Sequence, residues 1–101
     1  MEGASDPVFV ILVVMTIYLL YNTGTPAEQW ANNALEELKR NQVTAELLDA
    51  DSPRGIQVAE YYDIMARPAI IILKDDGTPI QVWQGEDSLP LLTDVVYYSH
   101  S

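Results

Sequence analysis

No cysteine occurs anywhere in the 101 residues. That excludes a disulfide framework, a thiolate metal site and any thiol redox pair. Basic residues are scarce as well: five Lys and Arg stand against 15 Asp and Glu, a formal charge of -10. Such a surface repels phosphate backbones, so nucleic acid is not an expected partner. The single histidine, His100, sits in the tail, away from any candidate nucleophile. The acidic residues are scattered rather than gathered in a block, which fits a solvated surface. About half of the chain is apolar, enough for the core of one modest domain.

The longest apolar stretch is VFVILVVMTIYLLY, residues 8–21, interrupted only by Thr16. As a helix it would reach only about 21 Å, short of a ~30 Å hydrocarbon core, and it lacks the basic start and small-residue cleavage site of a signal peptide. Its Val, Ile and Tyr content favours strand, yet one strand of that length would span about 46 Å, too far for a small domain. The run is therefore divided near Met15. Residues 16–22 are expected to form a buried strand, and residues 1–15 an apolar N-terminal extension to a domain at 16–101. A soluble or assembly-bound chain is the preferred reading, with membrane contact through residues 8–21 as the alternative.

Thr25-Pro26-Ala27-Glu28 has the spacing of a capping box, with a hydroxyl at the N-cap, proline at the first helical position and glutamate at the third. Trp30, Ala31, Ala34, Leu35 and Leu38 follow at helical intervals, and the helix should end near Asn41. Alternation of Val43, Ala45 and Leu47 predicts a strand over residues 43–48. Asp51-Ser52-Pro53 opens a second helix, with Val58, Tyr61, Tyr62 and Met65 on one face and Ile56 off it. Residues 69–73 form a continuous apolar run, as in a strand covered on both sides. Asp76-Gly77 marks a hairpin, and Ile80 and Val82 alternate with Gln81 and Trp83 on the returning strand. Leu91, Leu92, Val95, Val96 and Tyr98 then trace a last helix over residues 88–98. The order is β-α-β-α-β-β-α.

This order, with the stretches Tyr62-Asp63-Ile64-Met65-Ala66-Arg67-Pro68-Ala69, Lys74-Asp75-Asp76-Gly77, Trp83-Gln84-Gly85 and Leu48-Asp49-Ala50-Asp51-Ser52-Pro53, resembles the thioredoxin and glutaredoxin superfamily over residues 16–98. The resemblance implies an α/β fold with a central mixed four-stranded sheet and flanking helices. It implies a cis bond before Pro68, with Arg67 and Pro68 at the rim of a peptide groove. It puts Thr25 and Glu28 where the family has its Cys-x-x-Cys, and Leu19 where it has a buried acid. A threonine without a neighbouring base is a poor nucleophile, so Thr25 and Glu28 are read as a structural cap and no catalytic residue is assigned. If Glu28 and Arg67 face each other there, they are expected to form an ion pair across the former redox site.

Asp49, Asp51, Asp75 and Asp76 are assigned to turn chemistry instead of cation binding, and Trp30 and Trp83 to the core. No metal or cofactor is expected. The functional expectation is a redox-inactive interaction or structural module in a larger assembly. It would meet a protein partner, or a second copy of itself, through Arg67 and Pro68 or through the extension residues Val8, Phe9, Val10, Ile11 and Leu12. The alternatives are a relative that binds peptide or a thiol cofactor such as glutathione noncovalently, and a membrane-anchored domain of the same fold.

Overall fold

A computed structural model describes residues 15–100. The extension residues Val8, Phe9, Val10, Ile11 and Leu12 lie outside the described residues. Strand β1 (Thr16–Tyr21) is followed by α1 (Pro26–Arg40), β2 (Glu46–Asp49), α2 (Pro53–Tyr61), β3 (Ala69–Leu73), β4 (Pro79–Gln84), a short 3-10 turn (Glu86–Ser88) and α3 (Leu92–His100). The sheet order is β2-β1-β3-β4. β1 runs parallel to β2 and antiparallel to β3, which pairs antiparallel with β4. The sheet is therefore mixed, and the element order is the one expected.

The alternation of β1 divides the core in two. Ile17 and Leu19 pack with Ile70, Ile72, Ala34, Leu38 and Val95 on the face covered by α1 and α3. Leu20 packs with Leu48, Ile71, Leu73, Ala59 and Ile64 on the face of α2. All five residues of β3 are buried, as a strand flanked on both faces requires. Trp30 and Trp83 pack against the first cluster, and Tyr98 meets the Trp83 ring edge-on at 5.6 Å. Tyr97 beside it is 70% exposed.

Four local expectations need correction. The strand predicted over residues 43–48 begins only at Glu46, because the Val43 N–H is taken by the Leu38 carbonyl at the end of α1. The predicted α2 stripe runs past the helix: α2 ends at Tyr61, Asp63 adopts a positive φ of 62°, and the Ile64 N–H returns to the Ala59 carbonyl. Ile64 takes the core position, while Tyr61 and Met65 are exposed at 80% and 79%. On β4 the register shifts by one residue: Gln81 is opposite Ile72, but Pro79 is opposite Leu73. This bulge lets Ile80 join Trp83 on the α1/α3 face while Val82 turns to the other. Finally, Leu91 precedes α3 and is exposed, so the helical stripe starts at Leu92.

α2 begins as the sequence predicts. The Ser52 hydroxyl oxygen accepts the Gly55 N–H at 3.0 Å and its O–H donates to the Asp49 carbonyl. Gly55 is obligatory for packing here: a Cβ at this position would lie 1.9 Å from the Asp49 carbonyl oxygen.

Candidate functional site

β1 ends at Tyr21 opposite Asp49 of β2, and β3 begins at Ala69 opposite Leu20. The loops 22–25, 50–52 and 64–68 therefore share one end of the sheet. Sequence reasoning singled out Thr25 and Glu28 on the first and Arg67 and Pro68 on the third.

The start of α1 is closed by its own hydrogen bonds, but not as the capping-box spacing predicts. Thr25 is the N-cap residue and its side chain caps no helical N–H. Its hydroxyl donates instead to the Asn22 carbonyl at 2.6 Å. Glu28 reaches back one residue further than the motif requires, accepting the Gly24 N–H at 2.9 Å. Asn22 and Thr23 donate across to Asp51 and Asp49, at 3.2 and 2.8 Å. Asp49 also accepts the Asp51 N–H at 2.9 Å, and these bonds to its charged form, the Asp51 amide first and then Thr23, hold its carboxyl below the usual carboxylate range. Asp76 accepts the Thr78 N–H in the hairpin in the same manner. Asp49 and Asp76 thus serve turns, as predicted, and Asp49 additionally ties loop 22–25 to loop 50–52. Beneath loop 22–25 the interior is apolar: Leu19 is fully buried.

The loop before β3 is held differently. The Arg67–Pro68 peptide bond is cis, as the resemblance implied. The Gln84 side-chain carbonyl accepts both the Met65 and Ala66 N–H groups, at 2.7 and 3.1 Å. The Gly85 N–H bonds to the Pro68 carbonyl at 2.9 Å, with Gly85 in the left-handed region at φ 91°. Gln84 had no distinguishing signal in the sequence; its role follows only from the pairing of Ala69 with Gln84 that brings it beside this loop.

Arg67 itself is unsatisfied. Its backbone N–H and C=O have no hydrogen-bond partner among the described residues, and its guanidinium Nε is buried without one. Glu28 and Arg67 do not form the expected ion pair; the ion pairs among the described residues are Lys39–Glu36, Arg40–Glu37 and Arg54–Glu46. The physical reason is that the Glu28 carboxylate is already engaged by the turn at Gly24. Pro68 is buried, whereas the Thr25 side is exposed. No group of three or more His, Cys, Asp or Glu able to hold a metal ion is present among the described residues.

No family model matches the chain, and no curated protein matches it. Solved structures do. The chain is similar to thioredoxin-2 of the malaria parasite's protein secretion machinery, at TM-score 0.65 and 14% identity over 88% of this chain and 84% of that one. It is also similar to oxidised thioredoxin from Plasmodium falciparum, at 0.63 and 18% over 84% and 81%. Against the chain in the complex of ferredoxin:thioredoxin reductase with thioredoxin f2 the values are 0.62 and 22% over 86% and 78%. At these identities the likeness establishes fold alone. The chain has a thioredoxin-like fold and, having no cysteine, carries no Cys-x-x-Cys with which to exchange disulfides.

Proposed function

We propose that this domain is a redox-inactive interaction module that receives an extended protein segment along residues 65–67, and that it is not an enzyme. One observation carries the reading. Among the described residues, Arg67 offers a backbone N–H and C=O with no partner, next to amides already fixed by Gln84. A prepositioned, unpaired main-chain donor and acceptor is what an added β-strand bonds to. The Arg67 guanidinium and the exposed Met65 side chain flank that position. They suit a segment bearing a carboxylate and an apolar residue.

The partner is a protein or a second copy of the chain. Thr25 and Glu28 contribute shape instead of chemistry, since their polar groups are bound within the loop. Screening of an extended-peptide library, followed by amide chemical-shift mapping, tests the reading. Binding should move the Arg67, Ala66 and Gly85 amides, and Arg67→Ala should weaken it. Peptides that bind while leaving those amides untouched would sink the proposal. Shifts at Thr25 and Arg67 produced by glutathione, with none from peptides, would favour the noncovalent cofactor reading in its place.

A further inference from the structure

Two open grooves meet at the end of α2, and Tyr61, its last residue, and Tyr62, its C-cap, line both. The first, of about 380 Å³, is completed by Tyr18, Gln57 and Val58 and is mainly aromatic. The second, of about 460 Å³, is completed by Asp63 and by the β3–β4 hairpin, which brings Asp76 and Thr78 beside the tyrosines. The shared wall is held in place. The Tyr62 hydroxyl donates to the Gly77 carbonyl of the hairpin at 2.9 Å, and the Tyr61 ring meets the Tyr62 ring edge-on at 4.8 Å. Tyr61 nevertheless stays largely exposed.

The second groove carries a surplus of negative charge. Asp63 and Asp76 enter no ion pair among the described residues. Glu60 and Asp75, both exposed, stand next to Tyr61 and Asp76 in sequence, and the hairpin residues 74–78 contain one cation, Lys74. The first groove already shows how its rings receive a cation: the Arg54 guanidinium lies over the Tyr18 ring, 5.3 Å from its centroid, and is bound to Glu46. A tyrosine face attracts such a group through its quadrupole, and a carboxylate nearby adds direct charge attraction. Tyr61 offers the same combination of ring and acid, and among the described residues no basic side chain lies over it.

We propose that Tyr61 and Tyr62 form the spine of a docking site for a basic segment of a partner protein. An arginine or lysine of that segment packs on the Tyr61 ring with its charge toward Asp63 and Asp76, and an apolar neighbour enters the groove beside Tyr18. Charge complementarity selects this occupant. A second copy is disfavoured, because each chain carries a formal charge of -10 and three of its five basic residues, Lys39, Arg40 and Arg54, are already in ion pairs. The proposal is independent of the reading at Arg67, which calls for a carboxylate on the ligand. Arg67 precedes β3, whereas this site is built on the hairpin that follows it.

The test is an amide chemical-shift titration of the full chain with capped heptapeptides in which an Arg is flanked by Leu residues, or in which Gln or Glu replaces that Arg. The Arg peptide should shift the Tyr61, Tyr62, Asp63 and Gly77 amides and bind at least about fivefold more tightly than the Gln peptide, with the Glu peptide weaker still. This preference should shrink as salt is raised from about 0.05 to about 0.5 M. Tyr61→Ala should weaken the Arg peptide at least about threefold, whereas Tyr61→Phe keeps a ring face and should retain it. A D63N/D76N chain should lose most of the preference for Arg over Gln. Asparagine tolerates the left-handed φ of 62° at position 63 and can still accept the Thr78 N–H from position 76, so the fold should survive. Equal binding of the Arg and Gln peptides would overturn the proposal, as would unchanged affinity in Tyr61→Ala. Shifts confined to the Ala66, Arg67 and Gly85 amides would place the peptide at the other site and sink this one. So would shifts at Tyr61 and Gly77 that grow with protein concentration and ignore the peptides, the mark of a second copy in the grooves.

Discussion

The loop that begins α1 and the loop that precedes β3 lie at one end of the same sheet and manage their polar groups in opposite ways. In residues 22–25 the side chains of Asn22, Thr23 and Thr25 and the Gly24 amide all find internal partners, and Glu28, Asp49 and Asp51 are consumed in satisfying them. In residues 64–68 a single side chain, Gln84, fixes two amides and then stops, leaving Arg67 with a main chain and a guanidinium Nε that have no partner among the described residues. The first loop is complete in itself. The second leaves main-chain groups open among the described residues, which is why the proposed interaction reading rests on Arg67 and not on Thr25 and Glu28, the positions that the resemblance matches to the Cys-x-x-Cys.

The strongest way to break this contrast is through the turn that supports the closed loop. Gly55→Ala introduces a Cβ into contact with the Asp49 carbonyl and should cost about 3 kcal/mol, at the upper end of overpacking effects, read by urea denaturation. Gln84→Ala should cost about 1–2 kcal/mol by leaving two amides without their acceptor, with faster hydrogen exchange confined to Met65 and Ala66; Gln84→Glu retains an acceptor and should largely restore protection. Glu28→Ala should cost about 0.5–1 kcal/mol through the Gly24 amide. Arg67→Ala should change stability by less than about 0.5 kcal/mol while weakening peptide capture, and a Glu28/Arg67 double-mutant cycle should return a coupling near zero. A sizeable coupling would show that the two loops communicate after all.

Acid gives a gentler probe. The folded-state pKa of Asp49 is depressed, so its contribution to stability is fully present above the unfolded value of about 3.9 and is lost as pH falls through the folded value. The carboxylate is exposed, so the expected readout is local: the Thr23 and Asp51 amide signals should move together below about pH 4 while those of residues 65–67 stay in place.

Much of this architecture was legible in the residues. Ser52 announced α2, and the apolar run at 69–73 announced a strand covered on both faces, because both signals are local. The misses were non-local. Hydropathy placed Tyr61 and Met65 inside, whereas α2 buries its Gly55 and Ala59 face and leaves Tyr61 off it, and the positive φ at Asp63 ends the periodicity and gives the core position to Ile64 instead of Met65. Thr25 and Glu28 had the spacing of a capping box, yet spacing alone does not reveal that the Asn22 carbonyl claims the hydroxyl. Nor does any sequence pattern mark Gln84, whose importance comes from its register opposite Ala69.

The bulge at Ile80 has a consequence for the exposed border of the sheet. β4 is an outer strand of the sheet among the described residues, and it opens with Pro79, which has no N–H to donate, directly before the residue that breaks the register. A proline and a bulge at the head of an outer strand both discourage another sheet from continuing across it. The head of β4 is thus a poor template for a further strand.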